Sequence, residues 1–185
     1  MFEIILLVVF VWLMLVLSVL WLKFVLICLV ILLVFPGLYA TLRGAPYLPT
    51  GKRDILRILE LGQFKKSDRV YDLGCGDGRV IRAVAEKGVK EAIGYEFSVP
   101  TFFFAKVRSL ISGRGEVIYF ADFWKLNFEK ANVLICFLLS DSMEKFEKKI
   151  WPKLKKGTRV LSNQFEMKGV KYDEKKGRIY LYVKK

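Results

Sequence analysis

The sequence of 185 residues contains no histidine and only three cysteines. Without histidine, the commonest general base of enzymes and the imidazole ligands of metal sites are both absent. The cysteines, Cys28, Cys75 and Cys136, include no Cys-x-x-Cys pair, so neither a disulfide framework nor a zinc site is indicated. These absences predict a chain that works in a reducing compartment and binds no metal.

Charge is almost missing from the N-terminal part of the chain. Between Ile4 and Phe35 only Ser18 and Lys23 interrupt a run of apolar residues. The run exceeds the ~20 residues that a transmembrane helix needs, so it predicts one membrane-spanning helix that is tilted or protrudes. Near an interface the ammonium of Lys23 reaches the head groups while its methylene stem stays among apolar groups.

Two other interpretations of this run are weaker. A tight two-helix hairpin around Lys23 has no Gly, Pro or Asn to make the turn. A cleavable signal peptide does not fit, because Glu3 stands where a basic region is expected and the run is too long. Basic residues follow the run and place the remainder of the chain on the cytoplasmic side of a membrane. They are Arg43, Lys52, Arg53 and Arg57.

Acidic residues are few relative to basic ones. The chain has 31 Lys and Arg against 18 Asp and Glu, a net charge of +13. Such a field attracts anionic lipid head groups, nucleic acid or an acidic protein. For a domain tethered to a cytoplasmic leaflet, lipid head groups or simply a solvated surface account for the charge. We therefore expect a lipid bilayer, and no nucleic acid, among the partners.

Helix and strand signals alternate after the apolar run and a linker. Thr50 is the expected N-cap of the first helix. Helices are predicted at about 53–61, 79–86, 100–111 and 142–150, and strands at 69–72, 91–95, 116–121, 131–139 and 159–162. An antiparallel pair is predicted at 170–172 and 179–183, joined by a turn at 174–177. This order predicts an α/β domain with a mostly parallel sheet and a C-terminal antiparallel hairpin.

The pattern divides the chain into three parts. Residues 1–40 form the membrane segment, 41–52 the linker and the motif before the domain, and 53–185 the domain itself.

The most informative motif is VYDLGCGDGR at Val70–Arg79, where a predicted strand runs into glycines. A dinucleotide fingerprint would need its third glycine at position 79, which is Arg79 here. The pattern found resembles the S-adenosyl-L-methionine (SAM) loop of Rossmann-like methyltransferases. SAM carries an ammonium, and the carboxylate of Asp72 can contact that charge directly or through water. The glycines Gly74, Gly76 and Gly78 allow the backbone to approach the ligand closely.

Two more acidic residues follow predicted strands in the order that a SAM site needs. Glu96 can accept hydrogen bonds from both ribose hydroxyls, and Asp122 can accept a hydrogen bond from the adenine amino group. Phe97 and Phe123 stand beside them and can hold the ring. Simpler roles stay open: Asp72 as a loop cap, Glu96 as a helix-start acid and Asp122 as a turn residue. Cys75 belongs to the predicted cofactor-binding loop, as a small filler rather than a nucleophile, because no histidine is present to activate it.

Four segments resemble one family more closely. APYLPT (Ala45–Thr50), VYDLGCGDGR, AIGYE (Ala92–Glu96) and ADFWKLNF (Ala121–Phe128) occur in the order seen in the ATP synthase c-subunit lysine N-methyltransferase family. The resemblance implies a class I methyltransferase that uses SAM, releases S-adenosyl-L-homocysteine and methylates a protein lysine. It also implies membrane association. No Arg- and Ser-rich transit peptide is seen, so we expect a prokaryotic plasma membrane with the catalytic domain in the cytoplasm and a membrane-embedded protein substrate.

The acceptor side of the site is less defined. Aromatic rings suit both the sulfonium of SAM and a lysine ammonium, and Tyr47, Trp124 and Phe137 are candidates, with core packing as the alternative. We predict that Pro46–Thr50 folds over the cofactor, with Thr50 near its methionine end. Tyr47, Thr50 and Trp124 are therefore the expected catalytic residues.

Other functions stay possible at this point. A membrane-tethered enzyme that methylates a lipid or small molecule would carry the same anchor and charge. An RNA methyltransferase is favoured by charge alone, and a non-catalytic binding module would bind the cofactor without turnover. The Asn/Asp-Pro-Pro-Tyr/Phe motif typical of amide and adenine methylation is absent after the fourth strand, where the sequence is FLLSD.

Overall fold

A computed structural model describes residues 2–42 and 48–185. Contacts within the chain divide it into two units, Met1–Pro36 and Gly37–Lys185.

The N-terminal unit lies within one helix, α1 (Phe2–Leu42), of 41 residues. Its segment Leu7–Phe35 is 29 residues long, and it is long and apolar enough to cross a bilayer. The helix does not turn at Lys23, so the two-helix hairpin is wrong. The helix also continues past Pro36 to Leu42, two residues into the linker predicted at 41–52. The residues LYATL at 38–42 contain no glycine or proline that would end it.

The second unit is built from seven strands and four helices among the described residues. The helices are α2 (Lys52–Gly62), α3 (Arg79–Ala85), α4 (Val99–Ser112) and α5 (Ser140–Lys149). The strands are β1 (Arg69–Leu73), β2 (Glu91–Glu96), β3 (Val117–Phe120), β4 (Val133–Cys136), β5 (Arg159–Asn163), β6 (Glu174–Lys176) and β7 (Ile179–Val183). Two short 3-10 helices occupy Phe123–Lys125 and Trp151–Lys153.

The strands form one sheet in the order β3-β2-β1-β4-β5-β7-β6. Strands β1 to β5 are parallel, whereas β7 is antiparallel to both β5 and β6. The chain order reverses between β1 and β4, and ligands of open α/β sheets bind at the carboxyl ends of the strands beside such a point. The predicted α/β architecture is confirmed.

The C-terminal hairpin differs from the prediction in one detail. The strand that pairs with β7 is Glu174–Lys176, where a turn was expected, and residues 170–172 are not a strand. Lys176 pairs with Ile179, so Gly177 and Arg178 form a two-residue loop. The alternation of Val170, Lys171 and Tyr172 is typical of a strand, but the tight glycine turn sets the register.

Two apolar clusters lie on the two faces of the sheet. One includes Ile58, Ile81 and Ala105, which bring α2, α3 and α4 against one face. The other includes Met143 and Phe146 of α5. Since successive strand residues point to opposite faces, neighbouring residues of β1 enter different clusters. The helices therefore pack on both faces of the sheet, and a ligand site is expected at the carboxyl edge of the parallel strands.

Candidate active site

The glycine-rich loop after β1 has the backbone shape that only glycines adopt easily. Gly74, Gly76 and Gly78 have φ angles of 77°, 57° and 76°. The amide groups of Gly74 and Cys75 donate to the carbonyl of Tyr95 at 2.9 and 3.0 Å, which fastens the loop to β2. Gly78 then serves as the N-cap of α3. The loop therefore presents bare backbone at the carboxyl edge of β1.

Asp72 is the residue around which this site is organised. It lies in β1, is only 5% exposed, and has no hydrogen-bond partner among the residues that the structure describes. Burial, followed by the charges of Glu96 and Asp77, raises the pKa of Asp72 to about 7. A buried carboxylate without a donor is costly unless a ligand supplies a cation. The ammonium of SAM is such a cation, so the residue fits the predicted ligand.

Glu96, the last residue of β2, holds the loop and the start of α4 together. Its Oε2 accepts from the amide of Gly76 at 2.9 Å. Its Oε1 accepts from the amides of Phe97 at 2.9 Å and Ser98 at 2.7 Å. Burial raises the pKa of Glu96, although these three hydrogen bonds oppose it. A carboxylate accepts about four hydrogen bonds, so Oε2 keeps the capacity to bind a ribose hydroxyl.

The aromatic residues beside the two later acids have different environments. The ring of Phe97 stacks on that of Phe120 with centroids 5.7 Å apart and planes 6° apart. Phe123, by contrast, is buried in the core, with its ring 4.6 Å from that of Trp124. Asp122 is the N-cap of the 3-10 helix and accepts from the amide of Trp124 at 3.1 Å. Asp122 therefore acts as a turn residue, as the simpler alternative predicted, and its contact with adenine stays a prediction.

Cys75 fills the space above Gly94 of β2. A Cβ on Gly94 would lie 2.6 Å from the Sγ of Cys75, so the loop and the strand approach closely only because residue 94 is glycine. Burial raises the pKa of the Cys75 thiol well above its usual value, and the charges of Asp72 and Glu96 raise it further. The thiol is therefore a packing group and a poor nucleophile.

We expect alkylation to distinguish the cysteines. In the folded chain in detergent at pH 7.5, N-ethylmaleimide should leave the buried Cys75 and Cys136 unmodified, whereas a cysteine introduced at the exposed Ser67 should react; the detergent around α1 shields Cys28. Peptide mass spectrometry checks this, with the chain in urea as the control in which Cys75 and Cys136 also react. Rapid modification of Cys75 in the folded chain with loss of activity would identify a reactive thiol instead.

Thr50 lies at the same edge of the sheet, and it is not the cap of α2. The N-cap is Gly51, with extended backbone angles. The Oγ1 of buried Thr50 accepts from the Nδ2 of Asn163 at 3.4 Å, and its carbonyl accepts from Arg79 at 3.4 Å. A long-range side-chain contact has therefore replaced the local cap. Tyr47 and Pro46 lie outside the described residues, so Tyr47 as a catalytic residue and the proposed cover over the cofactor stay predictions.

Asn163 is a site residue that the sequence reasoning missed. It ends β5, is buried, and its Oδ1 has no hydrogen-bond partner among the described residues. The residue after it, Gln164, has a φ of 72°, which is uncommon for a residue with a side chain. A polar residue at the end of the fifth predicted strand was the available signal.

Asp77 and two arginines brace the loop and were also missed. The buried carboxylate of Asp77 accepts from Arg79 at 2.9 Å and from Arg108 of α4 at 2.7 Å. Although burial opposes it, these guanidinium groups lower the pKa of Asp77. In the sequence DGR, Asp77 and Arg79 are two residues apart, and this spacing of an acid and a base was the signal for their ion pair.

The candidate aromatic residues of the acceptor site are only partly buried. The ring of Trp124 has the ammonium of Lys145 at 4.0 Å from its centroid, so its face already holds a cation. Phe137 follows β4, and its ring lies 6.3 Å from that of Phe165. No contact links either ring to Thr50 among the described residues. The structure thus brings together Asp72, the glycines and Glu96, and separately Thr50 with Asn163.

Comparison with known proteins decides the family. The ANTKMT methyltransferase domain matches residues 72–174. A protein-lysine N-methyltransferase of Saccharolobus islandicus (strain REY15A) is 34% identical over 150 residues, which are 75% of this chain and 92% of that protein. This chain belongs to the ANTKMT methyltransferase domain family. The resemblance inferred from the four sequence segments is confirmed.

Other relatives agree with this membership. The ATP synthase c-subunit lysine N-methyltransferase of Rattus norvegicus is 30% identical over 122 residues, and the alignment covers 65% of this chain and 56% of that protein. Among solved structures, an RNA methyltransferase from Salinibacter ruber in complex with S-adenosyl-L-homocysteine has a TM-score of 0.69 and 27% identity, covering 74% of this chain and 94% of that one.

These findings establish the chemistry of this family member at a coarse level. The chain is a protein-lysine methyltransferase with the class I fold, and its cofactor is SAM. Asp72, the loop glycines and Glu96 are the residues that would hold this cofactor, since their burial and backbone shape suit a cationic nucleoside.

Proposed function

We propose that this chain is a membrane-anchored enzyme that transfers methyl groups from SAM to a lysine side chain of a membrane-embedded protein. We further propose that it sits in a prokaryotic plasma membrane with its catalytic unit in the cytoplasm. The observation that carries the proposal is the buried, unpartnered carboxylate of Asp72 within the segment that matches the family. The relatives named as protein-lysine methyltransferases support the acceptor class.

The residues of the loop divide the work of holding the cofactor. Asp72 attracts the ammonium of the cofactor, and Glu96 binds its ribose. The loop glycines have no side chains, so the ammonium and the ribose can approach the ends of the strands. SAM supplies the methyl group, which leaves a sulfonium for an attacking amine. Because the reaction is a displacement at one carbon, positioning of the two reactants provides much of the acceleration.

The acceptor amine must lose a proton before it attacks. At neutral pH only about one lysine in a thousand is uncharged, which opposes attack by roughly 4 kcal/mol. Removal of the lysine from water lowers its pKa, and the positive charge of the cofactor lowers it further. Asn163 supplies a buried carbonyl oxygen without a donor beside Thr50, and we assign it the role of orienting the amine. The released proton passes to water.

The α1 helix supports the membrane part of the proposal. Its described side chains from Leu7 to Phe35 form an exposed apolar surface. A bilayer would cover it without leaving backbone polar groups unsatisfied, since a helix satisfies its own backbone hydrogen bonds, and Lys23 is the one charged side chain of Leu7–Phe35 that lipid would have to accommodate. An integral membrane substrate and the enzyme would then meet by lateral diffusion in the plane of the membrane.

A labelling experiment tests the acceptor class. The full chain in nanodiscs is incubated with tritiated SAM and host membranes, and the label is separated into protein, lipid and RNA. We expect label in protein, on methylated lysines identified by mass spectrometry, and none with Asp72→Asn. Label confined to lipid would instead support the alternative of a lipid methyltransferase, and nuclease-sensitive label would support RNA.

Variants of the acceptor side should separate binding from turnover. We expect Asn163→Ala to lower kcat/KM for the protein substrate by about 10- to 100-fold, the loss of one or two charge-assisted hydrogen bonds. Its affinity for S-adenosyl-L-homocysteine should change little. Thr50→Ala should weaken cofactor binding, whereas the control Thr158→Ala, at a buried threonine beside the amino end of β5, should not. Equal affinity in the wild type and Thr50→Ala would argue against a place for Thr50 near the cofactor.

A further inference from the structure

Helix α4 turns its large apolar side chains outward. Five of them are 51–80% exposed, although the helix is only 14 residues long. They are Phe103, Phe104, Val107, Leu110 and Ile111. Their spacing places them along one side of the helix. The buried residue of α4 is the small Ala105.

The neighbouring edge strand extends this surface. Strand β3 lies at one end of the sheet, and its Phe120 is 48% exposed on the side of the sheet where α4 packs, with its ring 5.6 Å from that of Phe102. The helix packs along it, because the Oγ of Ser109 donates to the carbonyl of Glu116 at 2.8 Å. We call these six apolar side chains, the five of α4 and Phe120, the α4–β3 face. Soluble proteins seldom expose so many large apolar groups together unless a partner covers them.

The charges around the face sum to a net positive charge. Residues 97–121 contain a single acid, Glu116, and it is buried beside Arg82 at 3.0 Å. The basic residues of the segment are Lys106, Arg108 and Arg114. Arg108 shares the buried carboxylate of Asp77 with Arg79, and Arg114 pairs with the half-exposed Glu86 at the end of α3, so the net charge beside the face is positive.

We propose that the α4–β3 face docks on the surface of a bilayer that contains anionic lipid. Apolar side chains on one side of a helix and basic residues beside them are typical of helices that lie in the membrane interface. A second copy of the chain could also bury the apolar groups, but it would bring the same net positive charge against the face, and another protein would have to be acidic there. The inference rests on the membrane anchoring proposed above, which holds the unit at high effective concentration near lipid.

This docking would orient the active site. Helix α4 begins at Val99, three residues after Glu96, and the ring of Phe120 in the face stacks on Phe97. The cofactor end of β2 would then lie close to the head groups. A substrate lysine near the membrane surface would be within reach, whereas one far from the bilayer would not.

The test uses an environment-sensitive NBD probe on single cysteines of the full chain. Leu110→Cys reports the face, and Ser67→Cys, in an exposed turn before β1, is the control; both carry Cys28→Ala. Buried Cys75 and Cys136 should remain unlabelled. A probe on native Cys28 reports insertion of α1 independently. Each protein is reconstituted in vesicles of phosphatidylcholine with or without phosphatidylglycerol, and with doxyl-labelled lipid as a quencher.

We expect a blue shift and doxyl quenching at position 110, stronger with phosphatidylglycerol, and neither at position 67. Phe103→Gln with Phe104→Gln should remove the effect, while the matched change Leu56→Gln on α2 should not. Quenching at Cys28 without quenching at 110 overturns the docking and leaves the anchor intact. A shift at 110 that depends on protein density and ignores doxyl lipid would assign the face to a second copy and overturn the proposal.

Discussion

Replacing Asp72 by asparagine is expected to abolish cofactor binding and, above pH 7, to make the cofactor-free protein more stable. The first effect follows because the neutral amide cannot balance the ammonium of SAM in a buried site. Loss of one partner of a buried ion pair costs about 3–5 kcal/mol, which predicts at least a 100-fold lower affinity for S-adenosyl-L-homocysteine. That compound carries the same ammonium and is convenient for calorimetry.

The stability effect has a definite pH dependence. Burial, Glu96 and Asp77 raise the pKa of Asp72 to about 7 in the fold, whereas an unfolded chain keeps the ordinary value near 3.8. The fold therefore favours the protonated form, and its stability declines as pH rises from 4 through 7. At pH 8 the difference corresponds to roughly 4 kcal/mol, and the asparagine variant avoids it. At pH 4 the two proteins should differ by less than about 1 kcal/mol.

Calorimetry and thermal unfolding of the full chain in detergent check both parts. The matched control is Asp141→Asn, an exposed carboxylate on α5, which should change neither the affinity nor the pH dependence. Wild-type affinity in Asp72→Asn would remove the basis of the cofactor assignment. A variant that is less stable than wild type at pH 8 would show that Asp72 is ionised and paired in the fold.

The second large effect is expected at Arg82. Its guanidinium lies 3.0 Å from the fully buried carboxylate of Glu116 and also donates to the carbonyl of Asp77 in the loop at 3.2 Å. The other oxygen of Glu116, Oε2, has no partner among the described residues. Arg82→Met leaves a buried charge with one remaining donor, the hydroxyl of Ser112. We expect a loss of about 3–5 kcal/mol in the free energy of unfolding.

A double variant separates the ion pair from simple packing. Arg82→Met with Glu116→Leu should recover most of the lost stability, because apolar residues of similar volume often replace a buried pair without cost. Urea unfolding followed by near-ultraviolet circular dichroism measures the cycle. Cofactor affinity should be reduced in the single variant and also in the double variant, because both lack the hydrogen bond from Arg82 to the carbonyl of Asp77 in the loop. A single variant within about 1 kcal/mol of wild type would contradict the argument.

The order of elements followed from the sequence because hydrophobic patterns and glycines are local signals. Strand β1 and the glycines after it were placed correctly, and parallel strands necessarily bring their carboxyl ends to one edge. The errors are also local in origin. Thr50 is a good cap by type, but its hydroxyl contacts Asn163 instead. The strand expected at 170–172 does not form, because the turn at Gly177 sets a register in which residues 174–176 pair with β7.

The α4–β3 face shows a limit of periodicity. Apolar residues occur on several sides of α4, and only contacts with the sheet decide which of them are buried. Ala105 packs inward, and Phe103 and Phe104 beside it face outward. The sequence indicated an apolar helix there, but its exposed side could be assigned only from the fold.

By itself the sequence determined the α/β class, the apolar N-terminal helix, the cofactor loop and the acids at the strand ends, since each depends on residue type and spacing along the chain. The tertiary structure decided what those groups contact. It left Asp72 without a partner, bound Glu96 to the loop, placed Cys75 against Gly94 and joined Thr50 to Asn163. Such contacts join residues far apart in the chain, and their energies depend on burial, which spacing does not encode.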